Sequence, residues 1–196
     1  ERNVVSWSSL ISGYAHHRMH DEALKCFRRM QHEGVFPDEV TFVCTLRACG
    51  NLESLGMGEE IHAIVVKYKK SIMLCNTLID MYAKCGEMGR AQEVCDDIVK
   101  RDVVTWNALI TGYVQQGLDD EVLKCFKLMQ EDDGIAPDVV TFICILKSCG
   151  NLGLIEIGKK IHIEVRNTGL LEKDIVLGTT LVDMYAKMGM FEEAKR

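Results

Sequence analysis

Proline is nearly missing from this chain of 196 residues, which has two, Pro37 and Pro137, set one hundred residues apart. Proline removes a backbone donor and breaks helices, so its scarcity leaves room for a mostly helical chain. Long hydrophobic runs are missing too. No stretch of about 18 uncharged apolar residues occurs, and nothing in the sequence spans a bilayer as a helix. An excess of basic charge is likewise absent: 23 Lys and Arg stand against 29 Asp and Glu, for a net charge of −6. Divided at Asp102, the first part carries 13 basic and 15 acidic residues and the second 10 and 14, so neither half is a basic domain. Any nucleic-acid affinity would then come from local placement of Lys and Arg, stacking and hydrogen bonding rather than bulk charge.

Cysteine is plentiful at nine, but the C-x-x-C pairs that converge on a zinc ion are missing. Cys26 and Cys125, Cys44 and Cys144, and Cys49 and Cys149 fall at matching places in a repeat, while Cys75, Cys85 and Cys95 are ten residues apart. These read as small apolar residues at helix interfaces in a reducing compartment. His16 and His17 lack the further ligands a metal needs, and Gly56 and Gly58 have no strand or G-K-[ST] to make a phosphate loop. No metal or cofactor is expected. The chain begins at Glu1 without a Met, signal or transit segment and stops soon after MYAKMG, so it reads as a fragment of a longer protein.

What the chain has in abundance is itself. VVSWSSLISGY at 4–14 returns as VVTWNALITGY at 103–113, TFVCTLRACGNL at 41–52 as TFICILKSCGNL at 141–152, and LIDMYAKCG at 78–86 as LVDMYAKMG at 181–189. Repetition at this scale implies stacked units whose function lies along a surface rather than in one pocket. The local period is helical: Trp7, Leu10, Ile11 and Tyr14 share one face, as do Ala23, Phe27 and Met30. Asp21 is positioned to cap the second helix, and Gly34 with Pro37-Asp38 ends it. One helix–turn–helix unit therefore covers 4–38. The others are 39–71, with helices near Thr41–Leu52 and Met57–Lys69, then 72–102, 103–138, 139–174 and a partial unit from 175 to 196. The length differences between copies fall at Glu131–Asp133 and at Lys69–Ser71.

VVTWNALITGY, the F-x-x-M element (Phe27 and Met30, Phe126 and Met129) and the Pro-Asp ending resemble the pentatricopeptide repeat (PPR). The unequal unit lengths, with C-G-N-L and MYAKCG in their places, look like the plant PLS subclass in P-L-S-P-L-S order. The W-x-x-L-G-x-x-Y pattern of tetratricopeptide repeats is not present. The resemblance covers essentially the whole chain and implies an all-α, right-handed α-solenoid that binds single-stranded RNA with about one base per repeat.

In such repeats the fifth residue meets the base edge, the last residue supports it, and the second packs on the base face. Carried over, the edge-reading pairs are Ser8 with Asp38, Asn76 with Asp102, and Asn107 with Asp138, and Thr179 starts a sixth site. The base-packing residues are Val5, Val40, Met73, Val104, Val140 and Val176. The L-type pairs, Val43 with Ser71 and Ile143 with Asp174, offer no polar edge reader. By the family's usage, Ser–Asp favours guanine and Asn–Asp uracil, giving G-x-U-U-x-(A or G) from 5′ to 3′. Lys84 and Lys187 match positions the family can set against phosphate.

Without the resemblance the same residues read more plainly. Asp38 and Asp138 after Pro are turn residues, Asn76 and Asn107 are early-helix polar groups, and Val5 and Val104 are buried aliphatics. His62 and His162 recur in I-H as packing or capping residues, and Lys67, Lys69 and Lys70 form a solvated helix end. The resemblance further implies a mitochondrial or chloroplast protein that supports C-to-U editing or RNA processing, with editing-complex proteins as partners on the L-type units. The deaminase domain some members carry shows H-x-E and C-x-x-C elements. H-x-E occurs by itself at His20–Glu22 and His162–Glu164, but the C-x-x-C that would complete such a site does not occur, so this chain is not expected to be an enzyme. The alternative is a protein-interaction scaffold.

Overall fold

The computed structural model describes residues 3–67, 71–131 and 134–194. Among the described residues there are twelve helices and no strand, in two compact units, 1–99 and 100–196. The first unit holds α1 (Val4–His16), α2 (His20–His32), α3 (Glu39–Asn51), α4 (Leu55–Val65), α5 (Ile72–Lys84) and α6 (Met88–Asp96). The second holds α7 (Val103–Gln115), α8 (Asp119–Glu131), α9 (Val139–Leu152), α10 (Ile155–Thr168), α11 (Ile175–Lys187) and the short α12 (Phe191–Ala194). In each unit a helix packs on its hairpin partner and on the first helix of the next pair, as α1 does on α2 and α3. This is the layering of an α-solenoid.

The sequence dictates where these helices start. Asn3, Asp38, Ser71, Asp102, Asp138 and Asp174 each precede the first helix of a pair, and each side chain accepts a backbone N–H three residues on. Such caps satisfy donors that the helix cannot pair internally. The second helices start otherwise. The N-cap of α2 is Met19, with no side-chain cap, and Asp21 lies inside its first turn. The expectation that Asp21 caps the helix is therefore corrected: the turn closes with the Ala23 N–H donating to the Met19 carbonyl, which starts the helix earlier. Likewise α3 begins at Glu39 rather than Thr41 because Asp38 caps it, and α4 runs Leu55–Val65. Lys69 and Lys70, and Asp132 and Asp133, lie outside the described residues, and with them the placement of the two length differences.

The core is the periodic face read from sequence. Trp7, Ile11, Ala23, Phe27 and Met30 are buried in the first unit, and Trp106, Leu109, Ile110, Val122 and Met129 in the second. Two helix faces meet at glycine. A Cβ on Gly50 would lie 3.2 Å from the Met81 Cα, and one on Gly150 3.2 Å from the Met184 Cα. Met81 and Met184 thus seat the MYAK helices against α3 and α9. The tyrosines beside them are held by the recurring histidines: His62 Nδ1 is 2.8 Å from the Tyr82 hydroxyl and His162 Nδ1 is 2.9 Å from that of Tyr185. Both histidines are packing groups. Burial, followed by repulsion from Arg166, holds the His162 imidazole below its ordinary range.

All nine cysteines are free thiols, and burial pushes Cys49 up to about 12 and Cys149 to about 11. Thiols held so high stay protonated and act as apolar filler. Among the described residues no group of three or more His, Cys, Asp or Glu could hold a metal, and no helix is long and apolar enough to cross a membrane.

Candidate nucleic-acid interface

The first helix of each pair begins with the same anomaly. Its second residue is apolar yet faces solvent: Val5, Val40, Met73, Val104, Val140 and Val176 are all between 46% and 65% exposed. Periodicity alone would bury Val5 and Val104, and the structure does not. Single exposed aliphatics are ordinary on a protein surface. Six at one helical position, each one turn before the residue expected to meet a base edge, form a regular series.

That next-turn residue is best organised in the second unit. Asn107 is half-buried on α7, and its Nδ2 donates to both carboxylate oxygens of Asp138, at 2.9 and 3.0 Å. The Thr141 hydroxyl, 2.7 Å from Asn107 Oδ1, donates to it. Asp138 is already fixed, because it caps α9 through the Thr141 N–H at 3.0 Å. A helix cap has become the anchor of a side-chain amide. With Asp138 as acceptor and Thr141 as donor, the amide cannot flip, and it keeps one N–H and one lone pair for a ligand.

The matching place in the first unit is built differently. Ser8 is 7% exposed, and its hydroxyl lies 2.8 Å from the Val4 carbonyl and 2.9 Å from the Thr41 hydroxyl. Thr41 in turn donates to Asp38 through its hydroxyl at 2.7 Å and its N–H at 2.9 Å. Burial raises the Asp38 carboxyl, but hydrogen bonding, chiefly from the Thr41 hydroxyl and N–H, outweighs it and holds the group below its ordinary value. Ser8 and Asp38 therefore communicate through Thr41, while Asn107 touches Asp138 directly.

The other expected residues stand as follows. Asn76 is half-buried on α5 in the first unit, and Asp102 caps α7 in the second through Thr105 at 2.8 Å. Thr179 is exposed on α11 and donates to the Val176 carbonyl at 2.9 Å. Val43 is buried and Ile143 half-buried, so neither presents a polar edge. Ser71 caps α5 and donates to Glu39, and Asp174 caps α11. Lys84 pairs with Asp80 at 2.7 Å and Lys187 with Asp183 at 2.9 Å, each one turn back along its own helix. Sequence reasoning missed Thr41 and Thr141. The signal was present: T-F follows the Pro-Asp turn in both copies, with Thr at the capping-box position.

Stacked helix pairs bearing a regular solvent-facing series define a helical-repeat protein. A family model described as the PPR repeat family matches residues 2–51 and 101–151, and one for the PPR repeat matches 74–103 and 179–196. The chain belongs to the pentatricopeptide repeat family. A pentatricopeptide repeat-containing protein of Arabidopsis thaliana is 36% identical over 192 residues, covering 97% of this chain and 23% of its own length. Another from that plant, named as chloroplastic, is 38% identical over 199 residues and covers 100% and 23%. The chain thus spans about a quarter of the length of these relatives. Among solved structures, the pentatricopeptide repeat protein PPR10 in complex with an 18-nt psaJ RNA element superposes with a TM-score of 0.78 at 25% identity, covering 98% of this chain and 29% of that one. The crystal structure of PPR10 from maize gives a TM-score of 0.76.

Proposed function

We propose that this chain binds single-stranded RNA in sequence-specific fashion, about one base per helix pair, as the recognition part of an organellar RNA-editing or RNA-processing factor of PLS type. The observation that carries the reading is Asn107, its amide locked by Asp138 and Thr141 one turn after the exposed Val104. An unpaired base needs an apolar surface for its face and a fixed donor and acceptor for its edge. Val104 supplies the first and Asn107 the second. Uracil matches the amide, its N3–H donating to Oδ1 and a carbonyl accepting from Nδ2. Ser8, with one hydroxyl, reads a different edge, and guanine is assigned to it.

The neighbours are consistent with this reading. PPR10 is described bound to RNA, and relatives are named as mitochondrial or chloroplastic. Under the reading, the polar pairs choose bases, while Val43 and Ile143 contribute spacing. Asn76 with Asp102, and Thr179, are assigned to the remaining positions, giving G-x-U-U-x-(A or G). Lys84 and Lys187 keep ammonium donors beyond their ion pairs for phosphate. The test is a fluorescence titration of the whole chain against single-stranded RNAs carrying that pattern and against scrambled ones, at moderate salt. Tighter binding to the patterned RNA is expected. Failure of every RNA to bind would turn the assignment toward a protein-interaction scaffold.

A further inference from the structure

The first unit has a cleft that base reading does not use. It measures about 700 Å³ and lies where the end of α1, the turn into α2 and α3 meet, lined by Ser12, His16, Arg18, His20, Arg47 and Asn51 among others. Among the described residues no carboxylate lines it. The acidic residues next in sequence, Asp21 and Glu22, sit on α2, and Glu22 is held by Lys25 at 2.7 Å. In a chain of net charge −6 this is a local concentration of positive charge.

Two details point to a ligand. Arg18 adopts a φ of 59°, in the left-handed region, where the second unit has Gly117 at 68°. That backbone favours glycine, so arginine is not there to make the turn. His20 Nε2 lies 3.3 Å from the Asn51 amide nitrogen, which can only donate. The neutral ring must then carry its proton on Nδ1, which is buried without a hydrogen-bond partner among the described residues. A buried polar atom left unpaired needs an explanation, and this one belongs to a residue of the cleft wall.

The second unit closes the same place on itself. Gln115, Gly117 and Asp119 stand where the first unit has His16, Arg18 and His20. Asn151 donates to both Asp119 oxygens, at 3.2 and 3.4 Å, and accepts from Lys187 at 3.2 Å. A carboxylate fills the position where the first unit has an imidazole, and glycine stands where it has the Arg18 guanidinium.

We propose that the first-unit cleft binds a phosphate group, supplied by the backbone of single-stranded RNA; that source rests on the function proposed above. Arg18 and Arg47 would hold the phosphate oxygens through charge-assisted hydrogen bonds, with His16 adding a ring N–H donor. Lys84 adjoins the same end of α3, since a Cβ on Gly50 would lie 3.1 Å from its Cδ.

The test replaces Arg18→Gly together with His20→Asp in the whole chain, the residues the second unit uses. RNA affinity is measured across a salt series, and pyrophosphate is titrated while amide NMR shifts are followed at residues 16–20 and 47–51. The variant is expected to bind about tenfold more weakly at moderate salt, equally for every RNA sequence. Its log–log salt slope should be shallower by about 0.7 for each phosphate no longer neutralised. If the wild type binds RNA and the variant keeps its affinity and slope, the cleft assignment is overturned while RNA binding stands. If the wild type binds no RNA but pyrophosphate shifts the cleft amides in it and not in the variant, the phosphate site is supported, with a free phosphorylated molecule as its source. If pyrophosphate shifts nothing either, the site is overturned as well. Arg47→Gln, at an exposed position of α3, gives the same readings should the double variant fail to fold.

Discussion

The two units share one packing plan and differ along one edge. Gly50 against Met81, and His62 on Tyr82, return as Gly150 against Met184, and His162 on Tyr185. On the hairpin that opens each unit, Ser8 of α1 becomes Asn107 of α7, Arg18 of the turn becomes Gly117, and His20 of α2 becomes Asp119 of α8. Residues that fill space are kept because a close-packed interface admits few volumes. Hydrogen-bonding groups outside those interfaces are freer to vary, and under the proposed function variation there would let repeats choose different ligands.

Substitutions at glycine break the shared plan most strongly. Gly50→Val and Gly150→Val force side-chain atoms toward the backbone of the next helix, and each should cost about 1–3 kcal/mol in urea unfolding. Gly13→Ala, in α1 with nothing within 4 Å of a built Cβ, should instead stabilise by up to about 1 kcal/mol. Equal losses at Gly50 and Gly13 would contradict the packing account. Arg18→Gly alone relieves a left-handed backbone and should stabilise the first unit by about 1 kcal/mol, while Gly117→Arg should do the reverse in the second.

A smaller effect separates pH regimes. The folded His162 imidazole lies below its ordinary 6.5, so its contribution to stability is full above that value and is lost as pH falls through the folded pKa. Thermal melts should decline on acidification from about pH 7 to pH 5, and His162→Phe should flatten that part of the profile. An unchanged profile in the variant would remove His162 as its source.

Much of this molecule was legible in its sequence, and the exceptions have physical reasons. First helices announce themselves because Asp38, Asp102 and Asp138 are capping residues with a Thr three positions on. The second helix α2 does not, because its N-cap is Met19, which offers no side-chain acceptor, and that is why Asp21 misled. The candidate base-reading positions could be numbered from the repeats alone. Their chemistry could not: nothing in the letters says that Val5 faces solvent, that Asn107 is fixed from both ends, or that Ser8 reaches Asp38 through Thr41. The Arg18–His20 cleft was invisible for a similar reason, since it joins residues from three helices of one unit.

The difference between Ser8 and Asn107 is where two matching repeats should part. The most direct measurement is a titration of the wild-type chain and of Asn107→Ser against four RNAs that differ only in the base opposite α7. The wild type should bind the uracil RNA most tightly, and the variant should shift its preference to guanine with an unchanged salt slope. The same base preference in both proteins would contradict the assignment of base choice to this residue.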